Sequence, residues 1–153
     1  MKAVSLRQEF QEAYRLLQDC NRILIVAHQK PDGDTSGSTL ALWHWLRQEG
    51  KEPAIFCKDP LSDELYHLPG SAIIQTNPEL FDEEWDIIIT CDSGDLKYAG
   101  VSNLLTSKHE ALKIINFDHH ASNRFFGTVN LVDINASSTA EVVYRFFEAN
   151  NII

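Results

Sequence analysis

Apolar residues fall along this chain in two rhythms. Near the N-terminus Leu6, Phe10, Ala13 and Leu17 recur at helical spacing, which predicts a helix from Ser5 to about Asp19 opened by Ser5-Leu-Arg-Gln8 as a capping box. Further on, apolar residues run almost unbroken through Arg22 to Ala27 (RILIVA), Pro53 to Cys57, Asp86 to Cys91 (DIIITC), Lys113 to Phe117 (KIINF) and Val129 to Val132. Such short runs, rich in branched side chains, are the pattern of strands covered on both faces. Ala72 to Gln75 is a weaker strand candidate, and Lys58 to Pro69 is polar and irregular. Between the strands, Thr35 to about Glu49 reads as a helix stopped at Gly50, and Tyr98 to Ser107 as a poorly defined helical stretch. Ser138-Thr-Ala-Glu141 is a second capping box, opening a helix with Val142, Val143, Phe146 and Phe147 on one face. Strands alternating with helices predict an α/β fold, a Rossmann-like open and mostly parallel sheet with helices on both faces.

Composition narrows the class. At 153 residues the chain is one domain, and 44% apolar residues is ordinary for a globular protein. No apolar stretch approaches the ~20 residues of a membrane-spanning helix, and the charged N-terminal residues lack a signal-peptide core, so a soluble cytoplasmic protein is expected. Cys20, Cys57 and Cys91 form no C-x-x-C pair, and the latter two sit in strand runs, which predicts buried inert thiols. A net charge of −9 argues against a broad face for duplex nucleic acid. It leaves room for a small phosphorylated substrate.

The chemistry gathers where strands end. In an open parallel sheet, ligands bind beyond the carboxyl ends of the strands. Three runs deliver Asp or His there: Ala27 leads into His28, with Asp32 and Asp34 on the same loop; Cys91 leads into Asp92; and Phe117 leads into Asp118-His119-His120. Asp32 to Gly37 also opens like a calcium loop, but the twelfth position, which needs a bidentate Glu, is Trp43. H-E-x-x-H, the phosphate-binding P-loop and G-x-G-x-x-G are absent. Asp32, Asp34 and Asp92 packed together would repel; two divalent cations reverse that balance and make a nearby water nucleophilic near neutral pH. The helix start at Thr35-Ser36 offers N–H groups to an anion, and the start at Ser137-Ser138 does so too unless it is a plain cap. Ser36, Ser38, Ser137 and Ser138 are therefore the candidate substrate contacts.

The ordered segments His28-x-x-Pro31-Asp32-x-Asp34, with Gly37 and Ser38, Asp92-Ser-Gly-Asp95, Asp118-His-His120, Phe126-Gly127 and Ala136-Ser-Ser-Thr-Ala-Glu141 resemble the DHH phosphoesterase superfamily. The likeness is greatest to its RecJ-like branch, which contains oligoribonucleases and pAp phosphatases. It covers about residues 20–150. The resemblance implies that His28 and Asp32 hold one metal, Asp34 and His119 a second, and Asp92 bridges them. Mn²⁺ is the expected ion, with Mg²⁺ or Co²⁺ as alternatives. It assigns His120 to the substrate phosphate and Asp118 to orienting an imidazole. Asp95, His44, His67 and His109 are expected to be structural. The implied substrate is a short single-stranded oligoribonucleotide or a small nucleoside phosphate, and the implied assembly is a homodimer. Alternatives are another activity of the superfamily (cyclic-dinucleotide phosphodiesterase, single-strand exonuclease, pyro- or polyphosphatase) or a weakly active metal- or nucleotide-binding fragment. Residues 1–153 match the catalytic domain. They stop before the branch's later D-T-G-x-F-like aspartate and before its C-terminal substrate-binding domain, so the expected second metal site lacks one carboxylate.

Overall fold

The structure, a computed structural model, describes residues 6–153. Helix α1 (Arg7–Gln18) buries Phe10, Ala13 and Leu17, as the spacing predicts. Ser5, the expected opening cap, lies outside the described residues, and Leu6 stands at the N-cap with no side-chain cap bond. Strands β1 (Arg22–Ala27), β2 (Glu52–Cys57), β3 (Ile74–Gln75), β4 (Ile87–Cys91), β5 (Lys113–Asp118) and β6 (Val129–Val132) match the apolar runs. Helix α2 (Gly33–Gln48) follows β1, and α3 (Thr139–Ala149) closes the chain.

The strands form one six-stranded sheet in the order β3-β2-β1-β4-β5-β6, every pair parallel. The chain steps one way from β1 to β3 and the other way from β4 to β6. That reversal opens a crevice between the carboxyl ends of β1 and β4, the topological switch point where open α/β sheets bind ligands.

Alternation along each strand sorts its side chains to two faces. Ile23, Ile25, Ile55, Ile89, Ile115, Phe117 and Leu131 meet the three α-helices. There Phe146 of α3 packs edge-on against Phe10, Trp45 and Phe117, which locks α3 to α1, α2 and the sheet. Leu24, Val26, Phe56 and Ile88 point the other way, onto Leu80, Phe81, Trp85, Ala99 and Val101. The expected helical cover therefore takes two forms, α-helices on one face and turns with short 3-10 segments on the other. The stretch expected to be helical at Tyr98–Ser107 is a series of turns that ends in a 3-10 turn at Ser107–His109. Gly100 takes φ 80, a left-handed backbone that stops a helix, so successive turns seat Leu96, Ala99, Val101 and Leu104 on the sheet. Cys57 and Cys91 are buried free thiols, as expected, and no described helix is long and apolar enough to cross a membrane.

At the opposite edge of the sheet, Asp86 Oδ2 accepts the N–H groups of Arg22 and Asn21, each at 2.8 Å, and aligns the entry to β1. These amides hold the Asp86 carboxyl below the ordinary carboxylate value. A depressed folded-state pKa means that the stabilisation is complete above the unfolded value of about 4 and is lost as pH falls through the folded value. Asp86→Ala should cost about 1 kcal/mol in urea unfolding at pH 7, at the low end because the group is exposed. The gap between the two proteins should narrow below about pH 4; a gap independent of pH would contradict this role.

Candidate metal centre

Each strand end presents its ligand by a local device. After β1, Asp32 is the N-cap of α2: its Oδ1 accepts the Thr35 N–H at 3.0 Å, and its Oδ2 lies 3.7 Å from His28 Nε2. One carboxylate thus both starts a helix and faces an imidazole. Thr35, wholly buried, receives the His28 N–H and donates to the Cys91 carbonyl, both at 3.3 Å, which ties the ends of β1 and β4 together. After β4, Asp92 adopts φ 60, an uncommon left-handed backbone for a residue with a side chain, while its N–H continues the ladder to Phe117. It is 2% exposed and central to the cluster.

Two imidazoles are aimed in the same way. His28 Nδ1 lies 2.6 Å from the Gln29 carbonyl, and His119 Nδ1 lies 3.3 Å from the Ala136 carbonyl. A carbonyl only accepts, so Nδ1 keeps its proton in both rings and each Nε2 is the nitrogen that can give a lone pair to a cation. His28 Nε2 is 3.3 Å from Asp92 Oδ2, and His119 Nε2 is 3.6 Å from both Asp92 Oδ1 and Asp34 Oδ2. Asp92 lies between the two Nε2 atoms. Among the described residues, two groups bring ligand atoms within 4.8 Å of one another: His28 with Asp32 and Asp92, and Asp92 with His119 and His120. Nitrogen and carboxylate oxygen donors of this kind fit a pair of first-row divalent cations.

Helix α3 holds the remaining negative charge. Asp34 accepts the N–H of Thr139 at 2.9 Å and that of Ala140 at 2.8 Å, at the positive end of the helix. Thr139 Oγ1 donates to Asp92 Oδ1 at 2.9 Å, so one residue restrains two carboxylates from different loops. Burial raises the Asp34 pKa, the two amides oppose that rise, and the Asp92 charge adds to it; the net direction is upward. Burial acts on Asp92 in the same sense, but without a metal His28 is held protonated on Nε2 as well, and its hydrogen bond together with that of Thr139 outweighs burial and holds Asp92 below the ordinary range.

The third histidine is arranged differently. His120 Nδ1 is bonded to Asp118 Oδ1 at 2.6 Å, and Asp118 is fully buried. Asn123 donates to the other Asp118 oxygen at 2.6 Å and is itself held by Asn116, which pairs in register with Thr90 and Asn130. Burial works against a charged His120, but the Asp118 hydrogen bond, with the charges of Asp118, Asp92 and Asp34, raises its pKa above the ordinary value. His120 Nδ1 lies 3.8 Å from Asp92 but is already engaged by Asp118, so the free end of this ring is Nε2.

The fold thus brings together His28, Asp32, Asp34, Asp92, Asp118, His119 and His120. The expected substrate contacts Ser36, Ser38, Ser137 and Ser138 divide into a buried pair and a pair engaged in capping α3. Ser36 and Ser38 are fully buried, because the first turn of α2 runs beneath the site, and the Thr35 and Ser36 N–H groups are bonded to Asp32. Ser138 caps α3 by accepting the Glu141 N–H, while Glu141 takes the Ser137 N–H and hydroxyl. The anion at this helix start is the protein's own Asp34. Asp95 accepts the Tyr98 N–H in a turn; His44, His67 and His109 each bond a backbone carbonyl away from the cluster. Sequence reasoning missed the roles of Thr35, Thr139 and Asn123. Thr139 lies inside the second capping box, but nothing local to it announces Asp92 or Asp34 as a partner.

Comparison with known proteins bears on the family and the fold. The chain is 30% identical over 133 residues to the "Bifunctional oligoribonuclease and PAP phosphatase NrnA" of Thermus thermophilus, covering 79% of this chain and 35% of that protein. It is 26% identical over 138 residues to the protein of the same name from Bacillus subtilis, covering 89% and 41%. The chain therefore spans well under half the length of either relative. A crystal structure of an exopolyphosphatase-related protein from Bacteroides fragilis superposes with a TM-score of 0.85 at 26% identity, over 96% of this chain and 44% of that one. The family model described as "DHH family, N-terminal domain" matches residues 22–152, and the chain belongs to that family.

Proposed function

We propose that this domain is a metal-dependent phosphoesterase that hydrolyses short oligoribonucleotides or small nucleoside phosphates. The observation that carries the reading is the buried Asp92, set between two imidazoles whose Nε2 atoms are left for a cation by carbonyl bonds on Nδ1. His28, Asp32 and Asp92 would hold one cation, and Asp92, Asp34 and His119 the other, with Mn²⁺ the best match to the donor set. When bound, such ions offset phosphate charge and bring proton loss from a neighbouring water close to neutral pH. The chain's own residues do the rest. Asp118 fixes the proton on His120 Nδ1 and leaves Nε2–H of the imidazolium facing solvent, where it donates to the ester oxygen. The water oxygen joins phosphorus, the P–O ester bond breaks, the leaving oxygen takes the His120 proton, and the proton lost by water restores the imidazolium. The substrate class draws on the names of the two curated relatives, and the negative charge of the chain supports a small substrate over long DNA.

Hydrolysis of an activated phosphodiester such as bis(p-nitrophenyl) phosphate should require Mn²⁺, stop with EDTA and vanish in Asp92→Ala. His120→Ala should lower kcat by about 10²–10⁴-fold. Activity that survives EDTA, or an active Asp92→Ala protein, would overturn the reading.

Metal should also stabilise the fold, by about 2.7 kcal/mol for one ion at 100 times its Kd. Melting with Mn²⁺ and with EDTA measures this. Asp32→Ala should reduce the shift and Thr139→Val should weaken the metal's midpoint concentration, since Asp92 loses its hydroxyl partner. Equal melting temperatures with and without metal would count against a formed centre.

A further inference from the structure

The loop after β4 carries a feature that metal binding and proton transfer do not use. Tyr98 is 49% exposed, and its ring centroid lies 5.1 Å from that of His28, which is itself 3% exposed. Among the described residues, the other exposed tyrosine and phenylalanine side chains are Tyr66, Phe125 and Tyr144, and none has a ring contact with His28, His119 or His120. Part of the Tyr98 ring therefore rests on a metal-site imidazole while about half its surface stays open to solvent.

The ring is held in place. The Tyr98 N–H donates to Asp95 Oδ1 at 2.7 Å, and the next residue, Ala99, is fully buried in the second core and bonds back to the Asp95 carbonyl at 3.1 Å. Gly100 follows at φ 80, and a Cβ there would stand 2.9 Å from Lys58 Cδ. The Lys58 stem thus lies along the loop, with the exposed residue following β2 at the same edge of the sheet. A half-exposed aromatic ring, tilted at 41° against an imidazole of the metal groups and carried two residues before the glycine that Lys58 packs against, suits a nucleotide: the ring offers a surface on which a base stacks. A chain of inorganic phosphates has no π-face to offer.

We propose that Tyr98 is a stacking platform for a nucleobase next to the reacting phosphate, so that the site selects nucleoside phosphates over inorganic polyphosphate. This rests on the phosphoesterase reading above. The test compares AMP with ribose 5-phosphate, which keeps the sugar and phosphate but lacks the base, by calorimetric titration of the full chain in saturating Mn²⁺. AMP should bind more tightly by about 5- to 150-fold. Tyr98→Leu, which still covers His28 but has no π-face, should bring AMP down to the ribose 5-phosphate level and leave ribose 5-phosphate and Mn²⁺ affinities unchanged. Tyr98→Phe should keep the preference for AMP. Equal affinity of the two ligands in the parent protein, or a Tyr98→Leu protein that weakens both alike, would overturn the proposal. If neither ligand shows metal-dependent binding to the parent protein, the phosphoesterase reading itself fails and takes the proposal with it.

Discussion

Asp32, Asp34 and Asp92 crowd together beside a buried sheet, and the molecule is organised around keeping that charge in place. Each carboxylate has its own restraint. Asp32 caps α2, Asp34 receives two amides at the start of α3, and Asp92 takes the Thr139 hydroxyl and faces His28. Helix α3 is therefore both a wall of the core and the clamp of the site. Phe146 anchors it to the other helices and the sheet, while its first turn grips two acidic groups. Packing energy at one end of the helix sustains electrostatic order at the other.

Strand order supplies the meeting point. Because β1 and β4 are neighbours while the chain leaves them in opposite directions, the loops after them are free to converge without a crossover helix between them. β5 lies next to β4 and adds His119 and His120 from the far side. The two faces of the resulting cluster differ in character. His28 and His119 turn Nε2 toward Asp92, whereas His120 turns its bonded nitrogen toward Asp118 and leaves its other nitrogen for a partner from solution. A backbone carbonyl behind two rings and a carboxylate behind the third are enough to divide three histidines into two kinds.

Much of this was legible in the chain because burial on both faces writes itself as unbroken apolar runs. RILIVA, DIIITC and KIINF located β1, β4 and β5, and the Asp or His after each marked the edge where the acidic and imidazole side chains cluster. Relations that depend on a distant partner left no such trace. Thr139 and Asp34 are separated by 105 positions, and the Thr139 hydroxyl would read the same in sequence if it only capped a helix. Asn123 looks like a loop residue, yet it is buried and fixes Asp118. The burial of Ser36 and Ser38 was hidden for the converse reason: polar residues near the start of a helix suggest solvent, but both side chains are fully enclosed. The segment over the second face defeated periodicity because turns, unlike a helix, satisfy no single repeat.

The central claim is that the strand-end cluster is a two-metal centre shared through Asp92. Anomalous diffraction from crystals soaked in Mn²⁺, recorded at the manganese edge, tests it most directly. The account predicts two peaks, one contacting His28, Asp32 and Asp92 and the other contacting Asp34, Asp92 and His119, with His120 touching neither. Peaks confined to surface carboxylates, or a cluster that stays free of manganese at saturating concentration, would contradict it.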